Sequence, residues 1–568
     1  MALSDLKAGV AGSAATTGAV TRLLGLPRFW FAAFTLVVLA GLVLPLRLPL
    51  GPNAWDTAVY LDAIHRIGLG QVPSLDFFAP VGPLGYYLAA GLEALFPQAQ
   101  PMLLVNWALL PVLLPLFAAL IAHVDARSRG QALALLLPFL LFASLPVNLH
   151  SLFPAPGFDG YGHYNRHVSL LLYLLIATLL FVRGRALMAG LVGALMLTLF
   201  LVKITGAVTG TLLVGYAVLI GRLRLRDGVL AAVGVIAALV LVDLGTGAVR
   251  AYVEDILTLL LLNTNALLPR FLTVASVKFN VVGPCLLLIG VLALAAWRQR
   301  PALSVASVRE QADSPLGWLA AGLLALTFFE TQNTGSLEFI GLWPVLLLVI
   351  MEWRGRDEAL RPVVLVMALA VALPSAVIFI ERSARAGLGA ATYVGLSLPD
   401  LGPLGRISMK NESAERAKDM LAHYAVQQAS YRDLVARDVL PSPILYSEID
   451  YQGVWLLELQ QGITAIRTWE ASSGRHLNGV FTLDFVDAIN PLLGRISPSH
   501  VPIGIDPGRS TPALAPPTLT AIAATDAILA PKCPPTTARS MIAKHFAPAL
   551  QGRRLVELSP CWDMWLRP

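Results

Sequence analysis

The chain has 568 residues, of which 56% are hydrophobic and 13% charged, and its mean hydropathy is +0.70. Soluble domains carry about 25% charged residues, so polar surface is too scarce here to cover the apolar side chains in water, which excludes most soluble enzyme classes and leaves lipid as the cover. The net charge of +6 does not indicate a nucleic-acid partner, because Arg and Lys fall in short clusters between apolar runs, where membrane orientation puts them.

Eleven apolar runs can cross a hydrocarbon core of roughly 30 Å, which takes about 17–25 helical residues. They lie near 29–46, 101–123, 131–147, 167–182, 186–202, 205–220, 228–245, 279–297, 315–330, 338–353 and 362–380. The first is longer than a signal-peptide core and no small-residue cleavage pattern follows it, so it is expected to stay as an anchor. Lys7, Arg22 and Arg28 precede it. Arg127 and Arg129 follow the second run, Arg183 and Arg185 the fourth, and Arg222, Arg224 and Arg226 the sixth. Arg298, Arg300 and Arg309 follow the eighth, and Arg354, Arg356 and Arg361 the tenth. This alternation predicts a cytoplasmic N-terminus with the basic loops on the same side. It requires the segment 82–96, with Pro83, Gly85, Gly91 and Glu93, to lie at the outer surface rather than cross. The fold class expected is a polytopic α-helical membrane protein of about 11 transmembrane helices with a C-terminal soluble α/β or α+β domain. Its organisation is a cytoplasmic segment 1–28, a transmembrane region 29–380 with a periplasmic juxtamembrane loop 51–100, and a periplasmic domain 381–568, in a bacterial inner membrane.

Between the first two spans, Asp56 opens an amphipathic helix where its carboxylate can cap N-terminal amides, with Tyr60 and Ala63 on the same face. Asp62 and Arg66, four apart, suit a surface ion pair. Asp76 either lines a site or ends the juxtamembrane turn. The outer loop after the third span reads Gly160-Tyr161-Gly162-His163-Tyr164-Asn165-Arg166-His167. His163 and His167 have the spacing of a helical metal pair, with Asp159 four residues earlier, but Gly157, Gly160 and Gly162 disfavour a regular helix there, so no metal is expected. Lys203 is an ionisable residue between two apolar spans and is expensive there without a partner. The loop at 330–338 carries Glu330 and Asn333, which suit sugar hydroxyls or the capping of two helix ends.

Beyond residue 380 charged residues become frequent. The segment 413–437 has a helical apolar pattern at Ala417, Met420, Leu421, Tyr424 and Ala425, and strands are expected at 444–446, 463–466, 479–483, 527–530 and 555–558. Asp484, Asp487, Asp506 and Asp526 read as turn and cap carboxylates, and this domain is expected to dock an acceptor or cover the site. The three cysteines, Cys285, Cys533 and Cys561, exclude a Cys-rich metal site. Cys533 and Cys561 each follow an expected strand, and either a disulfide or two buried thiols fits.

Trp55-Asp56, then Gly68 and Gly70, then Pro83-Leu84-Gly85-Tyr86-Tyr87, and finally Val202-Lys203-Ile204-Thr205-Gly206 resemble, in order, elements of the C-type integral-membrane glycosyltransferases (GT-C). That superfamily holds the protein O-mannosyltransferases and lipid A aminoarabinose transferases, and the resemblance covers roughly residues 29–210. Val81-Gly82 replaces the Lys-Pro that often precedes Pro-Leu, and Thr57 stands where many members carry a second acid, so no subfamily follows. The resemblance implies transfer of a sugar, with inversion, from a polyprenyl-phosphate donor to a glycan, lipid or protein acceptor at the outer face of the bilayer. Asp56 would then be the general base, and Lys203 and Arg166 would hold the phosphate. His163, His167, Tyr60, Asp76, Glu330 and Asn333 would bind substrate, and no cofactor is required. A transporter or lipid flippase, or a lipid-linked glycan polymerase or ligase, is the alternative. The absence of an internal repeat and the one-sided placement of polar residues count against transport.

Overall fold

The computed structural model describes residues 23–149, 155–262, 267–298, 304–331, 337, 339–353, 359–440 and 449–568. Each of the eleven apolar runs coincides with a helix. Six of these, Pro101–Asp125, His163–Phe181, Arg185–Val202, Leu225–Thr246, Phe279–Arg298 and Arg361–Thr392, are long and apolar enough to cross a membrane. The other five, Pro27–Val43, Arg129–Ser144, Ile204–Leu219, Pro315–Thr331 and Leu342–Trp353, are shorter apolar helices. The chain is a multi-pass membrane protein.

The helices differ in what covers them. His163–Phe181 is buried along almost its whole length and forms the centre of the bundle, whereas Leu225–Thr246 buries none of its side chains in protein. A helix that is apolar all round and uncovered by protein needs lipid around it. At the centre, Phe117 stacks on Phe139 at 4.1 Å and Phe139 on Tyr173 at 5.7 Å. The Tyr173 hydroxyl donates to the Leu135 carbonyl at 2.7 Å, which satisfies a polar group that burial would otherwise penalise.

The basic loops gather at one end of the bundle. The Arg183 backbone N–H meets His123 at 3.2 Å, Arg185 pairs with Asp227 at 2.9 Å, Arg222 with Asp313 at 3.5 Å, and Arg309 donates to the Ile220 carbonyl at 2.5 Å. Arg300, Arg354 and Arg356, like Lys7 and Arg22, lie outside the described residues. At the opposite end the juxtamembrane helix, Asp56–Gly68, packs on the helix Leu84–Leu95. Leu84–Leu95 has 12 residues, about 18 Å of helix, too short to span.

Between the runs at 228–245 and 279–297 lie two helices that were not foreseen, Ala248–Leu262 and Leu267–Val277. Arg250, Glu254 and Asp255 interrupt the apolar pattern of the first, which hid it from a search for continuous spans. Its buried face carries Tyr252 and Asp255, while Leu257, Leu260 and Leu261 stay exposed. The last long helix also continues past residue 380 to Thr392, because Arg382, Ala386 and Gly389 are buried on it.

The remainder of the chain combines helices, Asn411–Val426 and Gln428–Ala436 where the helical pattern at 413–437 was expected, with two small sheets. Strand β1 (Leu48–Pro49), just after the first span, pairs in parallel with β3 (Ile407–Met409), which also pairs antiparallel with β2 (Val394–Gly395). A mixed sheet follows in the order β4 (Val480–Thr482), β5 (Ala527–Pro531), β7 (Trp562–Leu566), β6 (Arg554–Ser559). The expected strand at 463–466 is instead part of the helix Ile449–Ser473. Leu456, Leu459, Ile463 and Ile466 are all buried at helical spacing, and that period outweighs the local β-branched pair. The expected strand at 444–446 lies outside the described residues. Strand β7 was missed although Trp562, Met564 and Leu566 alternate inward. Cys533 and Cys561 form a disulfide joining the ends of β5 and β7.

The four tail carboxylates have structural partners. Asp484 pairs with Arg539, Asp487 accepts from Thr482 and Ile489, Asp506 pairs with Arg509, and Asp526 accepts the Asn478 backbone N–H. The Asp62–Arg66 pair, expected at the surface, is buried: the two groups meet at 2.8 Å and are 3% and 1% exposed. The cover is the segment 495–498, whose Pro498 carbonyl accepts from Arg66 at 2.6 Å.

Candidate active site

The site begins where two irregular segments touch. Asp56 is the first residue of the juxtamembrane helix, and instead of capping that helix its carboxylate accepts the Gly162 backbone N–H at 3.0 Å. Gly162 can aim that N–H because it adopts the left-handed conformation, φ 58°, immediately before the helix His163–Phe181. Gly160 permits the approach: a Cβ there would lie 2.5 Å from the Thr57 hydroxyl and 2.9 Å from the Asn53 and Ala54 carbonyls. The glycines thus serve a close crossing of backbones, and a regular helix starts directly after them.

Behind this contact sits Asp159, fully buried, accepting the Tyr161 N–H at 2.6 Å and facing Arg166 at 3.6 Å. Desolvation pushes the Asp56 carboxyl up to about 7, the Gly162 hydrogen bond opposing it and the nearby Asp159 charge adding to it. Asp159 is raised to about 6 by the same desolvation, opposed chiefly by Arg166.

An aromatic wall adjoins the acid. Tyr60 packs on Tyr86 at 5.0 Å and edge-on to His163 at 5.8 Å, and His163 Nε2 lies 3.4 Å from the Thr57 hydroxyl. On the far side is Lys203, at the break between Arg185–Val202 and Ile204–Leu219. The break frees backbone groups that need partners, and neighbouring segments supply them: Gly82 N–H donates to the Val202 carbonyl at 3.0 Å, and the Tyr252 hydroxyl accepts from Ile204 N–H at 3.0 Å. Gly82 fits there because a Cβ would fall 2.2 Å from the Leu201 carbonyl oxygen. Lys203 Nζ donates to Asn165 Oδ1 at 3.0 Å, lies 4.6 Å from the Tyr164 ring centre, and is within electrostatic reach of the buried Glu330.

Of the residues singled out from sequence, Asp56, Tyr60, His163, Lys203 and Glu330 therefore come together. Three others do not join them. Arg166, expected to hold a phosphate, is 1% exposed; its guanidinium donates to the Val147 carbonyl at 2.7 Å and faces Asp159, so it is committed beneath the site. His167 points to the Asn106 carbonyl at 3.1 Å, and Asp76 closes its own turn by accepting the Val72 N–H at 2.7 Å. Asn333 lies outside the described residues. Among the described residues no group of three His, Cys, Asp or Glu side chains is arranged to hold a metal.

Sequence reasoning missed Tyr164 and Asn165 as the seat of Lys203, and Asp159 as the buried acid behind Asp56. It also missed Arg509, from the C-terminal domain, which lies within electrostatic reach of Asp56, Tyr164 and Lys203. Nothing local in the sequence marks Arg509; only the fold brings it here.

No family model and no curated protein matches the chain. Among solved structures it is similar to the crystal structure of ArnT from Cupriavidus metallidurans in the apo state, at 14% identity and a TM-score of 0.41, over 95% of this chain and 98% of that one. The crystal structure of the same protein bound to undecaprenyl phosphate gives 14% identity and a TM-score of 0.37 over the same shares. At scores of this size the residues, rather than the superposition, must carry a functional reading.

Proposed function

We propose that the chain is a GT-C-type membrane glycosyltransferase that moves a sugar from a polyprenyl-phosphate donor to an acceptor hydroxyl, with Asp56 as general base. One observation carries the reading: base and cation are fixed to the same four residues. Gly162 holds Asp56 by its N–H, and Tyr164 and Asn165 hold Lys203, so their anchors are separated by about 5 Å along a helix axis. The GT-C-like sequence elements meet at this point too, with Tyr86 against Tyr60 and Gly82 hydrogen-bonded to Val202.

The chemistry follows from the two charges. The acceptor hydroxyl gives its proton to Asp56 as its oxygen attacks the anomeric carbon. The bond from that carbon to the phosphate oxygen breaks on the opposite face, which inverts the centre. The polyprenyl phosphate leaves as an anion and needs a fixed cation rather than a proton donor, which is the part Lys203 plays. A carboxylate raised to about 7 is a stronger base than an ordinary one and is about half in the base form at neutrality. Arg166, through Asp159, positions the loop that presents Gly162. The end carrying the site faces the periplasm in this reading, opposite the basic loops. Placement of the site at one end favours transfer over alternating access, which needs a site near the midplane.

The test is direct. Purified protein is incubated with polyprenyl-phosphate sugars carrying labelled sugar and with cell-envelope acceptors, and the label is followed. Transfer by the parent and its loss in Asp56→Asn, with binding of polyprenyl phosphate retained, is the expected result. An Asn variant that transfers at the parent rate would remove Asp56 as the base, and label that crosses a vesicle membrane while still on its lipid would favour a flippase.

A further inference from the structure

Given the transferase reading, on which it rests, we infer that the C-terminal domain completes the active site with Arg509, which grips the donor phosphate together with Lys203. Arg509 sits at the tip of a loop whose stem is fastened to the juxtamembrane segment. The Ser497 carbonyl accepts from Gln71 at 2.8 Å and the Pro498 carbonyl from Arg66 at 2.6 Å. His500 N–H donates to the Asp76 carbonyl at 2.5 Å and Ile503 N–H to the Phe78 carbonyl at 3.1 Å. Gly504 then passes beside Val59, one helical turn below Asp56. The attachments come from the active-site helix itself and from the stretch that follows it, so the loop's position is tied to that of the base.

The tip is itself ordered. The N–H groups of Arg509, Ser510 and Thr511 converge on the Asp506 carbonyl, the Thr511 hydroxyl accepts the Asp506 N–H at 2.7 Å, and the Ser510 hydroxyl donates to the Gly504 carbonyl at 3.0 Å. The guanidinium emerges from this turn 60% exposed, with one nitrogen 3.2 Å from Asp506. It is within electrostatic reach of Lys203, Tyr164 and Asp56, which arise from three other segments of the chain.

Two cations held near each other repel, and the arrangement becomes favourable when an anion lies between them. The planar fork of Arg509 can take two phosphate oxygens while Lys203 acts as a point charge on a third. Asp506 keeps the fork oriented when no donor is bound. Because Arg509 belongs to the soluble domain and Lys203 to the bundle, the donor phosphate would bridge the two.

Binding is measured apart from transfer, using short-chain polyprenyl phosphate without sugar and the full-length protein in detergent. Arg509→Ala should weaken this binding by about tenfold or more, the size expected for a charge-assisted hydrogen bond. It should also raise the donor KM with little change in kcat. Arg509→Lys should recover part of the affinity, since it keeps the charge and loses the fork. The melting temperature should not move, because an exposed loop-tip side chain is removed. Equal binding by parent and Arg509→Ala overturns the inference while leaving the transferase reading intact. A parent that binds no polyprenyl phosphate overturns that reading itself. An Arg509→Ala variant with an altered acid limb of the pH profile but unchanged donor KM would make Arg509 a partner of Asp56 and also overturn the clamp.

Discussion

Two acid clusters in this protein are built from the same residue types and given different partners. In the C-terminal domain, Glu458 and Asp484 share the guanidinium of Arg539, which lies 2.8 Å from each, and Glu458 also accepts the Cys533 N–H at 2.6 Å. Two carboxylates there share a single guanidinium. At the membrane end, Asp159 takes the buried Arg166, and Asp56 beside it receives the neutral Gly162 amide, with no salt bridge among the described residues. An acid held by a guanidinium is still raised by burial, Glu458 to about 7 and Asp159 to about 6, but it is fixed in an ion pair and its value is structural. An acid that is desolvated but held by an amide keeps its proton affinity available for chemistry. Burial raises acids in both clusters, and what sets Asp56 apart is that an amide rather than a guanidinium holds it among the described residues.

The comparison breaks most sharply at Asp56. Asp56→Asn should lower transfer by about 10²–10⁴-fold, the usual contribution of a general base, with the folded protein intact. The counterpart in the other cluster is Arg539→Ala, which strands two buried carboxylates and should cost about 3–5 kcal/mol of stability. Thermal unfolding and limited proteolysis of the C-terminal domain would register it, and activity would fall only as the protein unfolds. Were the stabilities of these two variants reversed, the distinction between the clusters would be wrong.

Next in size is the pH dependence. The Asp56 carboxyl is raised from 3.8 to about 7, and the base form is the ionised one. Activity at low donor concentration should therefore climb with pH, tenfold per unit, and level off above about 7. Burial, the Gly162 amide and the Asp159 and Arg509 charges set where the limb falls. Stability should run the other way. A carboxyl whose folded value is raised contributes stability below its unfolded value, and that contribution is lost as pH rises through the folded value. Asp56→Asn should thus be more stable than the parent at pH 8, with the gap narrowing towards pH 5. A limb near the ordinary carboxylate range would mean that water reaches Asp56 freely.

How much of this was legible in sequence depended on how local the signal was. The spans were, because apolar runs punctuated by Arg are a property of short windows. Asp56 and Lys203 were, because an acid opening a juxtamembrane helix and a lysine between apolar runs are each anomalous by themselves. Arg166 and His167 were misjudged because one helical turn decides whether a side chain faces the opening or the core, and the preceding glycines hid where the helix begins. The helix Ala248–Leu262 escaped because Arg250, Glu254 and Asp255 break its apolar run, and Asp255 faces the protein while Leu257, Leu260 and Leu261 face outward. Arg509 could not be found: it is an ordinary arginine in a loop, and its meaning comes from hydrogen bonds between the segments 495–503 and 66–78 that no local pattern specifies.

The smallest expected effect probes what seats the cation, the feature that the C-terminal cluster lacks. Lys203 Nζ lies 4.6 Å from the Tyr164 ring centre and also donates to Asn165. If the ring face is what orients Lys203, Tyr164→Phe should leave the donor KM nearly unchanged, because the ring survives. Tyr164→Leu should raise it roughly two- to fivefold, the equivalent of about 0.5–1 kcal/mol for a cation over an aromatic face. A Phe variant as impaired as the Leu variant would shift the role to the phenol hydroxyl. Tyr164 would then belong with the hydrogen-bonding groups around Asp56, and Asn165 would still hold the lysine.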